Sequence, residues 1–195
     1  MKDGLEFVLA DVFSNRLSGG NQLAVFPDAA GLSDAAMATI TRELKLNETV
    51  FVTGAGPGGI GARIFSPHGE LSFAGHPVIG TACVLGQRDA ALRDAGALTL
   101  RVPAGAVPVV RSDRKAGLHA MLQSPEPPAR LGARAPEADI AAMLSLTARD
   151  LHRTDRAAGY SAGVPFFCIT LADRAALRRA RLNPDAWATA LAGSD

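Results

Sequence analysis

The chain has 195 residues, of which 48% are hydrophobic and 20% charged, and its formal net charge is +1 at pH 7. That length and composition suit one large or two small globular domains with a real core. So small a charge gives no reason to expect nucleic acid or an anionic membrane as partner, and no run of about 18 apolar residues offers a transmembrane helix. The opening MKDGLEFVLADVF carries acids inside its apolar run and has no secretory cleavage pattern, so a cytoplasmic protein is the expectation. Cys83 and Cys168 are far apart in apolar contexts, which reads as two buried thiols without a disulfide.

Taken in order, Leu5 to Phe13 reads as a strand with partial alternation, and Ser14 to Asn21 as a loop ending Ser18-Gly19-Gly20-Asn21. Gln22 to Phe26 is a second short strand, stopped by Pro27-Asp28. Ser33 is a credible N-cap with Asp34 in the first turn, and Met37, Ile40 and Leu44 form an apolar stripe, so 34–45 is expected to be an amphipathic helix. Asn47-Glu48 leads into the β-branched and aromatic strand Thr49 to Thr53. Gly54 to Gly61 holds a literal G-x-G-x-x-G after that strand. A dinucleotide fingerprint must also open a helix. Here the glycines run into the strand-like Ala62 to Ser66, so a hairpin loop is the expectation and a nucleotide-binding oxidoreductase a distant alternative.

The central stretch, Arg63 to Gly80, reads as strand, turn and helix. Ser66-Pro67-His68-Gly69 is turn chemistry, and Leu71 and Phe73 alternate with small residues as in a short strand. A helix is expected over 77–86, with Pro77 at its first position and Gly86 as its stop. A helix opening after Gly75-His76 presents unpaired N–H groups and a positive dipole end, a ready site for a carboxylate. Arg88 to Arg93 is polar and Ala-rich. Leu98 to Val102, Val107 to Arg111 and Leu118 to Leu122 read as antiparallel strands with turns at Ala104-Gly105 and Ser112 to Gly117. Ser124-Pro125-Glu126-Pro127-Pro128 is a stiff linker, which places a boundary between 1–126 and 127–195. Beyond it, helices are expected over 136–144, 147–151, 173–180 and 183–191, the last with Asn183 as cap and Trp187 inward. Val164 to Leu171 reads as one fully buried strand.

Among chemistry-bearing residues, Glu48 comes first. A carboxylate beside a strongly apolar strand has its proton affinity raised, which suits a general acid/base; the plain alternative is a solvated acid at a strand start. His76 puts a titratable ring at the helix entry, or is simply a satisfied first-turn histidine. Asn21 could bind a substrate or stabilise its turn. The four histidines show no metal-ligand spacing, and neither cysteine has a near His or Cys. His76 and Cys83 would lie roughly 10 Å apart on one helix, too far for a nucleophile pair.

Four segments carry a resemblance: Asp11-Val12-Phe13 with Gly20-Asn21 and Ala24-Val25; Leu46-Asn47-Glu48-Thr49-Val50-Phe51; Arg63-Ile64-Phe65-Ser66-Pro67 with Glu70-Leu71; and Phe73-Ala74-Gly75-His76-Pro77 with Ile79-Gly80. The chain resembles the PhzF-like family of phenazine biosynthesis, relatives of diaminopimelate epimerase. Gly163-Val164-Pro165 looks like a further match. The resemblance implies an α+β fold of two lobes, each a curved, mostly antiparallel sheet wrapped around a central helix, with the site between them. It implies an isomerase that works by proton transfer on a small carboxylate-bearing metabolite, with neither metal nor organic cofactor. The family's acid/base glutamate falls on Glu48, its substrate-contacting pair on Gly75 and His76 followed by Pro77, and a site-lining asparagine on Asn21.

Three departures accompany it. Gln22 stands where the family has proline. The paired cysteines of the epimerase are absent, Ala74 preceding Gly75. No second Asp with Gly-Ser-Ala is found before Asp195, so the second lobe is expected to be incomplete, lacking its catalytic aspartate. The alternative reading is therefore a catalytically silent member serving as a binding module. A homodimer is the commonest default for such a chain.

Overall fold

A computed structural model describes residues 4–114, 117–132, 135–154, 157–162 and 165–192, without the side chains of 113 and 114. Gly163 and Val164, where a further family match was read, lie outside the described residues, as do positions 115 and 116 of one expected turn. Two compact units are distinguished, residues 1–125 and 126–195.

The first unit runs β1 (Val8–Val12), β2 (Asn21–Phe26), α1 (Asp34–Leu44), β3 (Thr49–Gly56), β4 (Gly59–Ser66), β5 (Gly69–Leu71), α2 (Gly75–Arg88), α3 (Ala90–Ala95), β6 (Ala97–Val102), β7 (Gly105–Arg114) and β8 (Gly117–Leu122). The strands form one sheet in the order β1-β2-β3-β4-β6-β7-β8, with β5 paired to β4. Only β2–β3 and β4–β6 pair in parallel among the described strands. The helix α2 touches β1, β2, β3, β6, β7 and β8, including both edges of the sheet. Laid flat, seven strands at ~4.8 Å spacing would span about 29 Å, far more than the roughly 10–12 Å width of one helix. The sheet therefore curls around α2, and the α+β architecture expected from the sequence is the one observed.

The strand pattern explains the layering. Along β2 and β3, alternate residues point to opposite faces. Leu23, Val25, Val50 and Val52 join Ile64, Val78 and Ala82 in the core around α2. Ala24, Phe26 and Phe51 face the other way, with Phe65 and Met37 under α1. Both faces are covered, which is why β2 reads as a continuous apolar run rather than an alternation. Outside this layer Arg63 grips Glu70 through two hydrogen bonds of 2.8 and 2.6 Å and reaches Asp34 at 2.6 Å, tying β4 to β5 and to the start of α1. The arginine beside it holds the Asp34 carboxyl below its ordinary value.

Several expectations needed correction. The Gly-rich segment is a hairpin, as read, but strand pairing runs through it to Gly56 and Gly59, leaving Pro57-Gly58 as the turn. The helix α2 begins at Gly75 and ends at Arg88, so Pro77 is its third residue. The first N–H groups of a helix have no intrahelical acceptor, so the missing donor costs nothing there. Gly86 lies inside α2 and does not stop it. A Cβ on Gly86 would sit 0.9 Å from Arg111 Nη1, so this glycine makes room for a buried guanidinium. Arg111 donates to the carbonyls of Ala82, Leu92 and Arg93 at 3.3, 2.8 and 3.2 Å, joining β7 to the middle of α2 and to the end of α3. The segment after α2 forms α3, capped by Asp89.

The second unit holds β9 (Ala129–Leu131), α4 (Glu137–Met143), a 3₁₀ turn (Ala148–Asp150), β10 (Ala157–Ser161), β11 (Pro165–Ile169), α5 (Arg174–Arg179) and α6 (Pro184–Ala190). Its sheet is β11-β10-β9, so β11 pairs with β10 and β10 with β9, two strands that the sequence did not signal. The β11 strand is an edge, and Phe166 is 65% exposed while Phe167 and Ile169 pack inward with Ile140 and Leu151. It is half-buried, not fully buried. Cys168 on it is exposed and Cys83 only partly covered, correcting the reading of two buried thiols. Trp187 is 39% exposed rather than inward. Thr147 and Asp150 close a capping box, and Arg179 donates to Asp150.

Candidate functional site

Three of the residues singled out in the sequence come together in the first unit. Glu48 sits in the connector between α1 and β3, after Lys45 has ended α1 in the left-handed conformation at φ 54°. His76 is the second residue of α2. Asn21 opens β2 opposite Val12. Residues two apart on a strand share a face, so Asn21 lies on the same face as Leu23 and Val25, the face turned to α2. Gly20 makes this possible, because a Cβ there would stand 2.5 Å from the Val12 carbonyl oxygen.

His76 Nε2 lies 3.3 Å from Glu48 Oε2, with side-chain exposures of 10% and 21%. Asn21 Nδ2 lies 3.3 Å from His76 Nδ1. Neither Nε2 nor Oε2 is reached by solvent, and neither has an aligned hydrogen-bond partner among the described residues. Their approach is thus a close, off-axis contact and not a finished hydrogen bond. Burial pushes the His76 imidazole below its ordinary pKa of 6.5, against the opposing pull of the Glu48 carboxylate and of the Gln22 main chain. The ring is therefore neutral at neutral pH.

The entry to α2 is bare. Its N-cap is Ala74, which makes no side-chain cap, so the Gly75 and His76 N–H groups lie outside the helical ladder. Space is open where a Cβ on Gly75 would point. Packing therefore does not require glycine there, whereas close approach of a ligand to the main chain would. Pro77 is buried. A polar cavity of about 260 Å³ adjoins Asn21, bordered also by Asp11, Gln22, Lys45 and Asn47.

Phe13 was missed by sequence reasoning as a site residue. Its ring centroid is 6.4 Å from that of His76. It is 73% exposed and adopts φ 66°, a conformation a bulky side chain rarely takes. Phe13 stands in the first of the four family-like segments, and that was the available signal, but an aromatic ending a strand reads as core. Among the described residues no group of His, Cys, Asp and Glu is gathered as a metal would need, and no helix is long and apolar enough to cross a membrane.

Residues 10–193 match the sequence profile of the family described as phenazine biosynthesis-like protein, PhzC-PhzF. An uncharacterized isomerase of Mesorhizobium japonicum is 36% identical over 184 residues, 93% of this chain and 61% of that protein. The trans-2,3-dihydro-3-hydroxyanthranilate isomerase of Pseudomonas fluorescens is 47% identical over 81 residues, 41% of this chain and 29% of that protein. Among solved structures, a Bacillus anthracis phenazine biosynthesis protein of the PhzF family superposes with a TM-score of 0.85 at 23% identity, covering 96% of this chain and 62% of that one. This chain thus spans about six-tenths of the length of the Mesorhizobium relative.

Proposed function

The chain belongs to the phenazine biosynthesis-like protein family, and from that membership we propose that it acts as a cofactor-independent isomerase on a small carboxylate-bearing metabolite. Glu48 is the general acid/base. Its carboxylate takes a proton from an activated carbon next to the substrate's unsaturation, the electron pair shifts along the conjugated system, and the same proton is returned at another carbon. No atom or electron is gained or lost overall, so the step needs no oxidant and no metal-bound water. The open N–H groups of Gly75 and His76 hold the substrate carboxylate, helped by the positive end of the α2 dipole.

The observation that carries this reading is the 3.3 Å meeting of Glu48 and His76 at the bare entry to α2. A carboxylate base and an anion-binding helix end then stand side by side, which proton abstraction near a carboxylate requires. The imidazole itself faces Asn21 and Glu48, so the main chain rather than the ring is the substrate's anchor. Named relatives carry the isomerase designation, and trans-2,3-dihydro-3-hydroxyanthranilate is the first substrate to try.

The test is proton exchange in D₂O. Incubated with that compound, the protein is expected to incorporate deuterium at the activated carbon and to form isomer, and Glu48→Gln to do neither. Exchange that persists in Glu48→Gln would remove Glu48 from the mechanism.

A further inference from the structure

Arg111 carries a charge in a place where charge is unfavourable. It is 7% exposed, and its acceptors are three main-chain carbonyls, reached through its two Nη atoms. Among the described residues no carboxylate pairs with it, and its Nε has neither an acceptor nor contact with solvent. A buried guanidinium without a counter-ion is strongly destabilising. The chain also forgoes a side chain at Gly86, inside α2, to admit it. An apolar residue of similar length would join β7 to the two helices without either cost.

Beside this guanidinium is a cavity of about 410 Å³, bordered by Arg111, Arg93, Gln87, Ser112, Gly117 and Leu118. Arg93 brings a second positive charge. Its Nε and Nη2 donate to the carbonyls of Gly86 and Gln87 at 3.2 and 2.8 Å, which leaves Nη1 without an acceptor among the described residues. Those two bonds also cover the carbonyl end of α2, whose dipole would otherwise repel an anion. None of the described residues bordering the cavity is an acid. Asp89 is occupied in capping α3, at 2.8 and 3.2 Å from the N–H groups of Ala91 and Leu92, and Glu6 is held by Arg88. Gly86 stands ten residues beyond His76 on α2, about 15 Å along the axis, so this place is separate from Glu48 and His76.

We propose that the cavity binds a small phosphate-type oxyanion between Arg111 and Arg93, as free phosphate or as the phosphate of a small metabolite. Guanidinium donors match phosphate oxygens in planar pairs, and two cations without an acid suit a dianion. A water molecule takes about 30 Å³ of liquid, so the volume admits an oxyanion together with a short organic tail. The site does not depend on the isomerase reading.

The test is a titration with inorganic phosphate at ionic strength held constant with KCl, followed by calorimetry and by ¹H–¹⁵N spectra. One phosphate per chain is expected, with a Kd at or below about 1 mM, and the Nε–H signals of Arg111 and Arg93 should shift with the same Kd. Leu118 alternates with Ala120, which packs on the core around α2, so Leu118→Glu sets a carboxylate into the lining. It is expected to weaken phosphate at least about tenfold, while the neutral Leu118→Gln stays within about threefold. Glycerol 3-phosphate binding more tightly than phosphate would make the ligand a phosphomonoester; equal binding would make it phosphate itself. Asp113 is the acid nearest Arg111 in sequence, and binding that emerges only in Asp113→Asn would make Asp113 the resident counter-ion and overturn the proposal. No binding, shifts confined to Gly75 and His76, or equal affinity in wild type and Leu118→Glu would overturn it as well.

Discussion

Glu48 Oε2 and His76 Nε2 stand 3.3 Å apart, one in the connector leaving α1 and the other in the first turn of α2. Neither element could bring them together alone. The curl of the sheet around α2 does so, and it sets a carboxylate against the ring of a histidine in a first helical turn that no side chain caps.

Glu48→Gln keeps the shape of the side chain and removes its basicity. Exchange and isomerisation are expected to fall by at least about 10²-fold, the usual scale of general acid–base catalysis. The melting temperature should stay within a few degrees of wild type. Proton-exchange spectra and a thermal melt check the two halves of this outcome, and a collapsed melt would mean that Glu48 is structural instead.

Gly75→Ala separates binding from folding. Its Cβ would meet no protein atom within 4 Å, so stability should change by less than about 1 kcal/mol. Substrate affinity should drop roughly tenfold, because the methyl group occupies the approach to the helix end. Calorimetric titration together with a urea melt measures both. Unchanged affinity would exclude the Gly75 N–H as an anchor.

The pH dependence of stability follows from the buried imidazole. His76 has its pKa lowered below 6.5 in the fold, chiefly by burial. Below 6.5 the unfolded chain takes up this proton and the folded chain resists it, so stability is lost as the pH falls from 6.5 toward the lowered folded value. Above 6.5 both states are neutral here and the contribution is flat. Urea melts between pH 5 and 7.5 should show this slope in the wild type and a shallower one in His76→Asn. Identical slopes would mean that His76 does not titrate as described.

Gly86→Ala strikes the buried guanidinium of Arg111, which lies 0.9 Å from where the new Cβ would sit. Displacing it removes its hydrogen bonds to the carbonyls of Ala82, Leu92 and Arg93. A loss of about 2–4 kcal/mol is expected, seen as a lower midpoint in chemical denaturation. If Gly86 were an ordinary interior helix residue with room for a Cβ, alanine would be neutral or mildly stabilising.

The site was legible in pieces. Glu48, His76 and Asn21 stood out because each sits at a junction where a polar side chain borders an apolar element, and such junctions are written in a few consecutive residues. The caps at Ser33 and Asn183 were readable for the same reason, and each side chain does accept from the helix's first turn. Gly86 was misread, because a glycine late in a helix looks the same whether it ends the helix or makes room for a side chain from β7.

By itself, then, the sequence determined the local grammar: the order of the first unit's strands, its two long helices, a hairpin within Gly54 to Gly61 and the residues that belong to its family's motifs. Periodicity and cap chemistry act over three or four residues, so they survive without a fold. The tertiary structure alone decided that Asn21, Glu48 and His76 converge, which nitrogen of the imidazole faces the carboxylate, that Arg111 needs the absent side chain of Gly86, and that Cys168 and Trp187 lie partly in water. Each of these depends on contacts between segments far apart in the chain, set by the curl of one sheet around one helix in the first unit and by edge-strand pairing in the second.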